Sequence, residues 1–437
     1  MQRTQLASLI AGICLAIDAQ AMTLLEAFNA AQAYDSQLAS ARGARDAARE
    51  KSTQGFAGLL PTVSATANMN RINAHVTSTG VDRTIDYTQE VYQLQLRQPI
   101  YNRNNFDVYE QSKLQVTAGE IQYEQARNDL SLRVAQAYFD VLAAQDVISF
   151  IRAQKAAITE QLESAKRNFE VGTATITDTH EAQARFDLAL AQEIAAQNDL
   201  EVKRNAFAVV TGQLPPELKS LRAGVKLSSP EPSSMDKWVQ SAEAGNFGVV
   251  AQGLVAEIAK LEIRRNRSGH LPTLDAVAVG SQRKDLTFTS PTVTNTTALG
   301  VQLTIPLFSG FLTTSRVREA IALENQARSD LDTAKRTAMQ SARAAYLGVQ
   351  SGLSQIRALE AAEVSSNSAL ESNKLGYDVG VRINIDVLNA QQQLYSTRRD
   401  LAKARYDTLI NGLRLKAAAG TLGEVDLAEL NALLDMR

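Results

Sequence analysis

The sequence contains two copies of one pattern, and this duplication constrains the fold more than any other feature. Val171-Gly172 recurs as Val379-Gly380, 208 residues later. Four other short motifs recur in the same order at nearly the same offset: Leu60-Pro61-Thr62 and Leu271-Pro272-Thr273, Gln98-Pro99-Ile100 and Ile305-Pro306-Leu307, Ala137-Tyr138 and Ala345-Tyr346, Thr211-Gly212 and Ala419-Gly420. Such ordered matches indicate an internal repeat, in which each half builds the same supersecondary unit.

Each copy begins with two segments in which apolar and polar residues alternate. This period of two predicts four half-buried strands, at residues 62–70, 90–99, 273–283 and 297–306. In the third segment the apolar alternation is carried by Val277 and Val279. The links are rich in Ser, Thr, Asn and Asp, which predicts exposed loops near 71–88 and 281–296. The strands alone are equally compatible with lipid-facing strands and with a sheet on a soluble core.

Each copy continues with two long helical segments. They are predicted at residues 102–169, 178–211, 310–376 and 386–418, and all nine prolines lie outside them. Within the first segment, apolar residues from Leu130 to Ile151 follow a 4-3-4-3 spacing, which is typical of a coiled-coil seam. The flanking positions are Gln, Asp, Glu, Lys and Arg, so we expect these helices to lie in water, outside a bilayer.

The first 21 residues are predicted to be a secretory signal peptide. Arg3 supplies its positive charge, residues 6–17 its apolar stretch, and Ala19-Gln20-Ala21 its cleavage site. The single cysteine, Cys14, lies inside this segment, so the exported chain is expected to contain no thiol. No later stretch is predicted to cross a bilayer as a helix, so a membrane-spanning form would have to be a closed barrel.

The remaining residues divide into four predicted segments. The first repeat covers 22–212 and the second covers 271–421. Between them, residues 213–270 contain two proline clusters followed by shorter helical stretches. This linker, together with the C-terminal segment 422–437, is expected to form a collar packed around the long helices.

Composition argues against several classes of function. With 45 Lys and Arg against 47 Asp and Glu, the net charge of −2 disfavours a nucleic-acid-binding protein. His75, His180 and His270 are far apart and fit no metal-binding spacing. The sequence contains no phosphate-binding loop or nucleophile motif. We therefore expect no enzymatic activity, no cofactor and no metal.

A sheet of four strands is too small to close a barrel by itself, and a sheet edge exposed to lipid leaves backbone groups unpaired. Two chains would supply eight strands, whose interior is filled by side chains, whereas three would supply twelve and leave a passage. Because the polar face of the predicted strands suits a wet lumen, a homotrimer in contact with membrane lipid is the favoured arrangement.

Several motifs resemble those of the TolC family of trimeric outer-membrane channel-tunnels, and the resemblance covers nearly the whole exported chain. They are residues 270–275 (HLPTLD), Val171-Gly172 with Ala174, Ile176, Thr177 and Asp178, Asp386-Val387-Leu388, Ala404-Arg405-Tyr406 and Leu409-Ile410-Asn411. The resemblance implies an α+β membrane protein with a twelve-stranded outer-membrane barrel and a helical tunnel in the periplasm. It also implies passive export of drugs or proteins, delivered by a periplasmic adaptor and an inner-membrane ABC or proton-driven transporter.

The resemblance further assigns roles to the two turns that join the long helices. Residues at positions matching the family's periplasmic gate latch are Thr177, Asp178, Tyr377 and Arg382. The adaptor-docking tips are expected at Val171, Gly172, Thr173, Val379, Gly380 and Val381. Asp386 is expected in the pore constriction, where Asn389 replaces a second acidic residue, which predicts weaker cation selectivity.

Hydroxyl, guanidinium and carboxylate groups at these turns give two further hypotheses. The Tyr377 hydroxyl is expected to reach Asp178, and Arg382 to pair with a carboxylate. A simpler interpretation is that the two aspartates only cap helices. For the chain as a whole, the alternative is a coiled-coil scaffold or adhesin that conducts nothing, which would explain the heptads but not the four strands.

Overall fold

The computed structural model describes residues 21–78, 80–215, 217–222, 224–287 and 290–435. The predicted signal peptide, apart from Ala21, and Cys14 lie outside these residues. In chain order the elements are α1 (Leu24–Tyr34), α2 (Ser36–Ala57), β1 (Thr62–Ser78), β2 (Val81–Tyr101), α3 (Arg103–Glu170), α4 (Ile176–Thr211), β3 (Ser220–Leu221), α5 (Met235–Gly245), α6 (Phe247–Arg267), β4 (Thr273–Thr287), β5 (Thr292–Thr304), α7 (Leu312–Asp378), α8 (Asn384–Ala418), α9 (Glu424–Asn431) and β6 (Leu434–Asp435).

The repeated unit is longer than the sequence pattern indicated. Two helices, α1 and α2, precede the first strand pair, and α5 and α6 precede the second in the same order. The α1–α2 pair was not predicted, because an Ala-rich and charged stretch between two strong signals shows no clear period. The predicted linker 213–270 contains α5 and α6, while its assignment to a collar remains a prediction.

The chain divides into two compact units. The sheet unit consists of residues 41–123 and 247–334, and it contains the four long strands. The helical unit consists of the rest of the chain, in three segments. Because α3 and α7 are so long, each contributes residues to both units.

The four long strands form one antiparallel sheet in the order β1-β2-β4-β5. Every residue of β1 pairs with β2, from Thr62 opposite Arg97 to Ser78 opposite Val81. The prediction of loops at 71–88 and 281–296 is therefore wrong for most of those residues, which lie in strands. Their Ser, Thr, Asn and Asp residues concealed the strands, because polarity was taken as a sign of irregular structure.

The strand register assigns the two faces of the sheet. Leu94 and Leu96 share one face with Ala276 and Ala278 in β4 and with Val301 in β5. We call this the apolar face. The opposite, polar face carries the Thr, Ser and Gln residues of β1 and β2.

The register also corrects one interpretation of the sequence. Val277 and Val279, taken as the apolar alternation of the third strand, lie on the polar face opposite Arg97 and Gln95. Alternation gives the period of a strand but not which of its faces is buried, and a register shift of one residue exchanges the two.

The helical unit is centred on buried aromatic side chains. Tyr138, Phe139 and Phe207 are almost fully buried, and Tyr406 stacks near Phe139 with ring centroids 5.7 Å apart. The Tyr138 hydroxyl lies 2.9 Å from the Met22 carbonyl oxygen and 3.0 Å from that of Lys219. Burial raises the pKa of Tyr138, so its hydroxyl stays protonated and available as a donor.

The second copy contains a similar hydrogen bond from a tyrosine hydroxyl to a backbone carbonyl. Tyr346, the repeat of Tyr138, donates a hydrogen bond to the Ser233 carbonyl oxygen. Gly348 lies against α8, where a Cβ would stand only 3.0 Å from the Asn411 side-chain nitrogen. The missing side chain at Gly348 thus allows α7 and α8 to approach closely.

One stretch of α3 is long and apolar enough to cross a bilayer by length and composition. This differs from the expectation that no such stretch follows the signal peptide. Half of the stretch is buried inside the chain, as in the core helix of a soluble bundle.

Candidate functional site

The two turns between the long helices have the same backbone geometry. Gly172 and Gly380 adopt φ values of +80° and +78°, the left-handed conformation that ends helices and that glycine tolerates best. Just after each glycine, an amide returns to the helix before it: Thr173 N–H donates to the Asn168 carbonyl oxygen at 2.8 Å, and Val381 N–H to that of Gly376 at 2.8 Å.

The side chains at these turns are strongly exposed. Val171, Val379 and Val381 are 73%, 65% and 77% exposed, while Thr173 is also exposed. Apolar side chains held out by a rigid turn are costly to leave in water, so they favour a partner surface.

The Asp178 side chain forms hydrogen bonds within the first turn of α4. Thr175 is the N-cap, and its amide and hydroxyl both donate to the Asp178 carboxylate, at 2.9 and 2.8 Å. In return the Asp178 amide donates to the Thr175 hydroxyl oxygen at 3.3 Å. This reciprocal capping box stabilises the first turn of α4, in which Thr177 is exposed.

Tyr377 contacts a different partner from the one expected. Its hydroxyl oxygen accepts a hydrogen bond from the Asn168 side-chain nitrogen at 3.2 Å, rather than reaching Asp178 within the chain. The Tyr377 ring packs on a cluster of Leu370, Val387 and Leu394, which fixes its orientation. This bond joins the ends of α3 and α7.

Arg382 and Asp386 form an ion pair across one turn at the start of α8, with 3.6 Å between nitrogen and oxygen. Both side chains are partly exposed. Asn389, one turn further along, accepts a hydrogen bond from Arg185 of α4 at 2.9 Å. The same guanidinium also donates to Gln392, so Arg185 connects α4 to α8.

Asn384 is a residue at the turns that sequence reasoning missed. It is fully buried as the first residue of α8. Its side-chain oxygen accepts from the Gln161 amide at 2.6 Å, and its nitrogen donates to the Asp178 carbonyl oxygen at 3.1 Å. The sequence gives no sign of this role, because both partners of Asn384 are more than 200 positions away.

A cluster of three charged residues further along connects α3 to α4. Lys155 and Arg152 both contact the Glu193 carboxylate, the latter at 3.1 Å. Hydrogen bonds from Lys155 and Arg152 hold the pKa of Glu193 below its usual value.

Among the residues that the structure describes, no group of His, Cys, Asp and Glu is arranged to hold a metal ion.

Comparison with known proteins identifies the family. A family model described as outer membrane efflux protein matches the chain twice, over residues 27–213 and 238–421. The chain belongs to this family. The double match covers both copies of the repeat, and it begins within α1 in the first copy and within α5 in the second.

Relatives and solved structures agree with this assignment. The chain is 36% identical to the outer membrane protein TolC of Vibrio cholerae, over 94% of each chain. It is 34% identical to the alkaline protease secretion protein AprF of Pseudomonas aeruginosa, over 94% of this chain and 87% of that one. Its fold matches the outer membrane protein VceC of Vibrio cholerae with a TM-score of 0.79, at 18% identity over 91% and 96% of the two chains.

These findings confirm the predicted TolC-family membership, the α+β fold with a duplicated strand-and-helix unit, and the outer-membrane location. They also confirm that the chain is an outer-membrane channel subunit of the efflux and type I secretion class. The relatives are channel and secretion proteins rather than enzymes.

Proposed function

We propose that three copies of this chain form a channel through which substrates leave the cell passively. The sheet supports this proposal because β1 and β5 are its two edge strands within one chain. Its apolar face leaves large side chains exposed, with Leu299 81% and Val301 66% exposed. Joining edges around a threefold axis pairs the free backbone groups and turns this face toward lipid.

Aromatic side chains just after β5 support the same orientation. Phe308 and Phe311 are 78% and 73% exposed, and their rings pack edge to face with centroids 5.5 Å apart. Such residues suit the interface between lipid and water, where aromatic girdles flank the apolar band of outer-membrane barrels. A scaffold or adhesin in water would have no use for either feature.

The helix turns form the gate in this proposal. Thr177, Asp178, Tyr377 and Arg382 act as the latch through bonds within and between copies. Exposed polar links contribute individually only about 0–1 kcal/mol, so a docking partner can break them. The buried Asn384 bonds to Gln161 and Asp178 add a stronger internal fastening.

The exposed turn tips are the docking surface for a periplasmic adaptor. They are Val171, Gly172, Thr173, Val379, Gly380 and Val381. The adaptor connects the channel to an inner-membrane transporter, of the ABC or proton-driven type. Asp386 and Asn389 line the constriction, where three copies of Asp386 give one acidic ring.

Two kinds of cargo fit this channel. AprF of Pseudomonas aeruginosa, which is named for alkaline protease secretion, is 34% identical to the chain, and the outer membrane efflux protein BepC of Brucella suis is 28% identical. Type I protein secretion has the more similar relative, which makes it the first candidate, with multidrug efflux the second.

The test is the conductance of the protein purified from outer membranes and inserted into planar bilayers. Wild-type protein should give small ohmic steps, and Tyr377→Phe combined with Arg382→Glu should enlarge them by loosening the turns. The matched control is Tyr395→Phe combined with Arg399→Glu, further along α8. Absence of conductance in every variant would overturn the channel, and equal conductance in all of them would overturn the latch.

A further inference from the structure

The first hairpin of the sheet reverses its polarity toward its tip. The pairing of β1 with β2 contains no register shift, so residues 62, 64 and so on to 78 all share one face. This face is polar up to Asn70 and its partner Gln89, and then becomes apolar. The next rows pair Ile72 with Tyr87 and Ala74 with Ile85.

The other face changes in the opposite sense at the same level. It is apolar up to Ala67 and its partner Tyr92, and Met69 already lies opposite Glu90. Beyond that row it carries only polar or charged residues, paired as Arg71 with Thr88, Asn73 with Asp86, His75 with Thr84 and Thr77 with Asp82. Arg71 forms a two-bond ion pair with Asp86, at 2.8 and 3.2 Å. A charged outer face ends the lipid-facing band, because charges in hydrocarbon are costly.

The tip of this hairpin also stands clear of its neighbour in the sheet. Pairing of β2 with β4 begins at Tyr87 opposite Thr287, where β4 ends. Beyond that row, β1 and β2 continue as a two-stranded ribbon for six more residues, or roughly 20 Å. Two-stranded ribbons twist strongly and are marginally stable alone, so the apolar side of this ribbon needs a cover.

We propose that the ribbons of the three copies lean together and close the outer mouth of the channel with an apolar constriction. This inference rests on the proposed trimer, in which the polar face of the sheet lines the lumen. The same face at the tip must then point toward the axis, where the other copies lie. Ile72, Ile85 and Tyr87 from each copy form the constriction, which hinders ions by expelling water.

The end of the ribbon and the second hairpin fit this arrangement. Arg83, opposite Val76, is exposed at the tip and can extend its guanidinium to outside water. In the second hairpin the lumen-facing rows are polar, pairing Ser281 with Thr296 and Arg283 with Thr294. The constriction is therefore formed by the β1–β2 hairpin of each of the three chains.

Disulfide cross-linking tests the proximity of the ribbons. In full-length protein in membranes, Ile85→Cys should form disulfide-linked dimers under mild oxidation, because a disulfide needs Cα atoms within about 7 Å. Thr84→Cys, the adjacent residue on the outer face, should not, and the parent chain, whose exported form is expected to contain no thiol, gives the background. Lack of dimers with Ile85→Cys in a protein that is trimeric and conducts, or equal dimers with both variants, would overturn the inference.

Conductance tests the constriction itself. Ile72→Ser combined with Ile85→Ser should raise single-channel conductance when added to the Tyr377→Phe, Arg382→Glu channel, whose inner gate no longer limits the current. The outer-face control is His75→Ser combined with Thr84→Ser. Unchanged conductance of the Ile72, Ile85 variant would overturn the constriction, whereas a parent that neither trimerises nor conducts would instead overturn the proposed function.

Discussion

Polar side chains near the turns differ in whether they serve their own helix or another one. Asp178 closes a capping box with Thr175, three residues earlier, so its role is local. Asn384 bonds to Gln161 and to the backbone of Asp178, so it holds three helices together. Because Asn384 is fully buried, loss of its partners leaves polar groups unsatisfied.

Asn384→Ala should loosen the turns. The variant removes the acceptor of the Gln161 amide and a side-chain donor to the Asp178 carbonyl, and the loss of such partly buried bonds costs about 1–3 kcal/mol. We expect longer or more frequent open events in single-channel recordings. The control is Asn373→Ala, which removes only a bond to the carbonyl of Ala369 in its own helix. Identical gating of the two variants would contradict the role of Asn384.

Asp35 gives the helical unit a dependence on pH. It caps α2 by accepting from the Leu38 amide at 2.7 Å, and it accepts two bonds from Arg133, at 2.9 and 3.0 Å. Burial opposes ionisation of Asp35, but the bonds from Arg133 and Leu38 outweigh it, and the net pKa is lowered. A carboxyl with a lowered pKa stabilises the fold above its unfolded pKa, and this stabilisation disappears as the pH falls through the folded value.

Asp35→Asn should therefore destabilise the protein at pH 7 by about 1–3 kcal/mol, because the neutral amide replaces charged hydrogen bonds. Below about pH 4 the difference from wild type should shrink, since the wild-type carboxyl is then losing its charge. Thermal unfolding across this pH range measures both effects. Asp46→Asn, at an exposed ion pair, is the control and should change little. A loss of stability that does not change with pH would contradict the coupling between the ionisation of Asp35 and the stability of the fold.

At the level of elements, pairing with a neighbouring strand decides which side chains lie on each face of the sheet. The alternation in β4 is compatible with either face toward lipid, because its residues are mostly small. Pairing with β2 places Ala278 opposite Leu96, on the apolar face, and Val277 opposite Arg97, on the polar face. Asp275, on that same side, is buried and pairs with Arg97 at 2.7 Å.

Substitution by arginine on the two faces tests this assignment. Val301→Arg, on the apolar face, should reduce the yield of folded protein in the outer membrane, since arginine near the bilayer midplane costs about 2–4 kcal/mol. Val279→Arg, on the polar face, should fold with near-normal yield. Resistance of the protein to unfolding by detergent on unheated gels measures the folded fraction. The reverse order of yields would contradict the register.

For the whole molecule, symmetry multiplies the effect of each charge at the proposed constriction. In the proposed trimer, three copies of Asp386 form a ring of carboxylates, and within one chain Asp386 is paired with Arg382 at 3.6 Å. The guanidinium offsets part of the negative potential that would otherwise attract cations. Asn389 adds no charge, and it is already engaged by Arg185.

Arg382→Gln should accordingly increase the cation preference of the channel, and Asp386→Asn should decrease it. Reversal potentials in a salt gradient report this preference separately from any change in conductance. Arg399→Gln, whose partner is Asp400 further along α8, is the control and should leave the potential unchanged. A shift of the same sign in the Arg382 and Asp386 variants would contradict the pairing.

The sequence by itself determined the duplication, the alternating strands, the long helices and the glycine turns, because each is a local or periodic property of neighbouring residues. Only the tertiary structure decided which residues of β4 share a face with Leu94 and Leu96, that residues 71–88 mostly continue the strands, and that Tyr377 contacts Asn168 while Asn384 contacts Gln161. Those outcomes depend on register and on contacts between residues about 200 positions apart. Local patterns carry no information about such partners, since the partner is selected by packing.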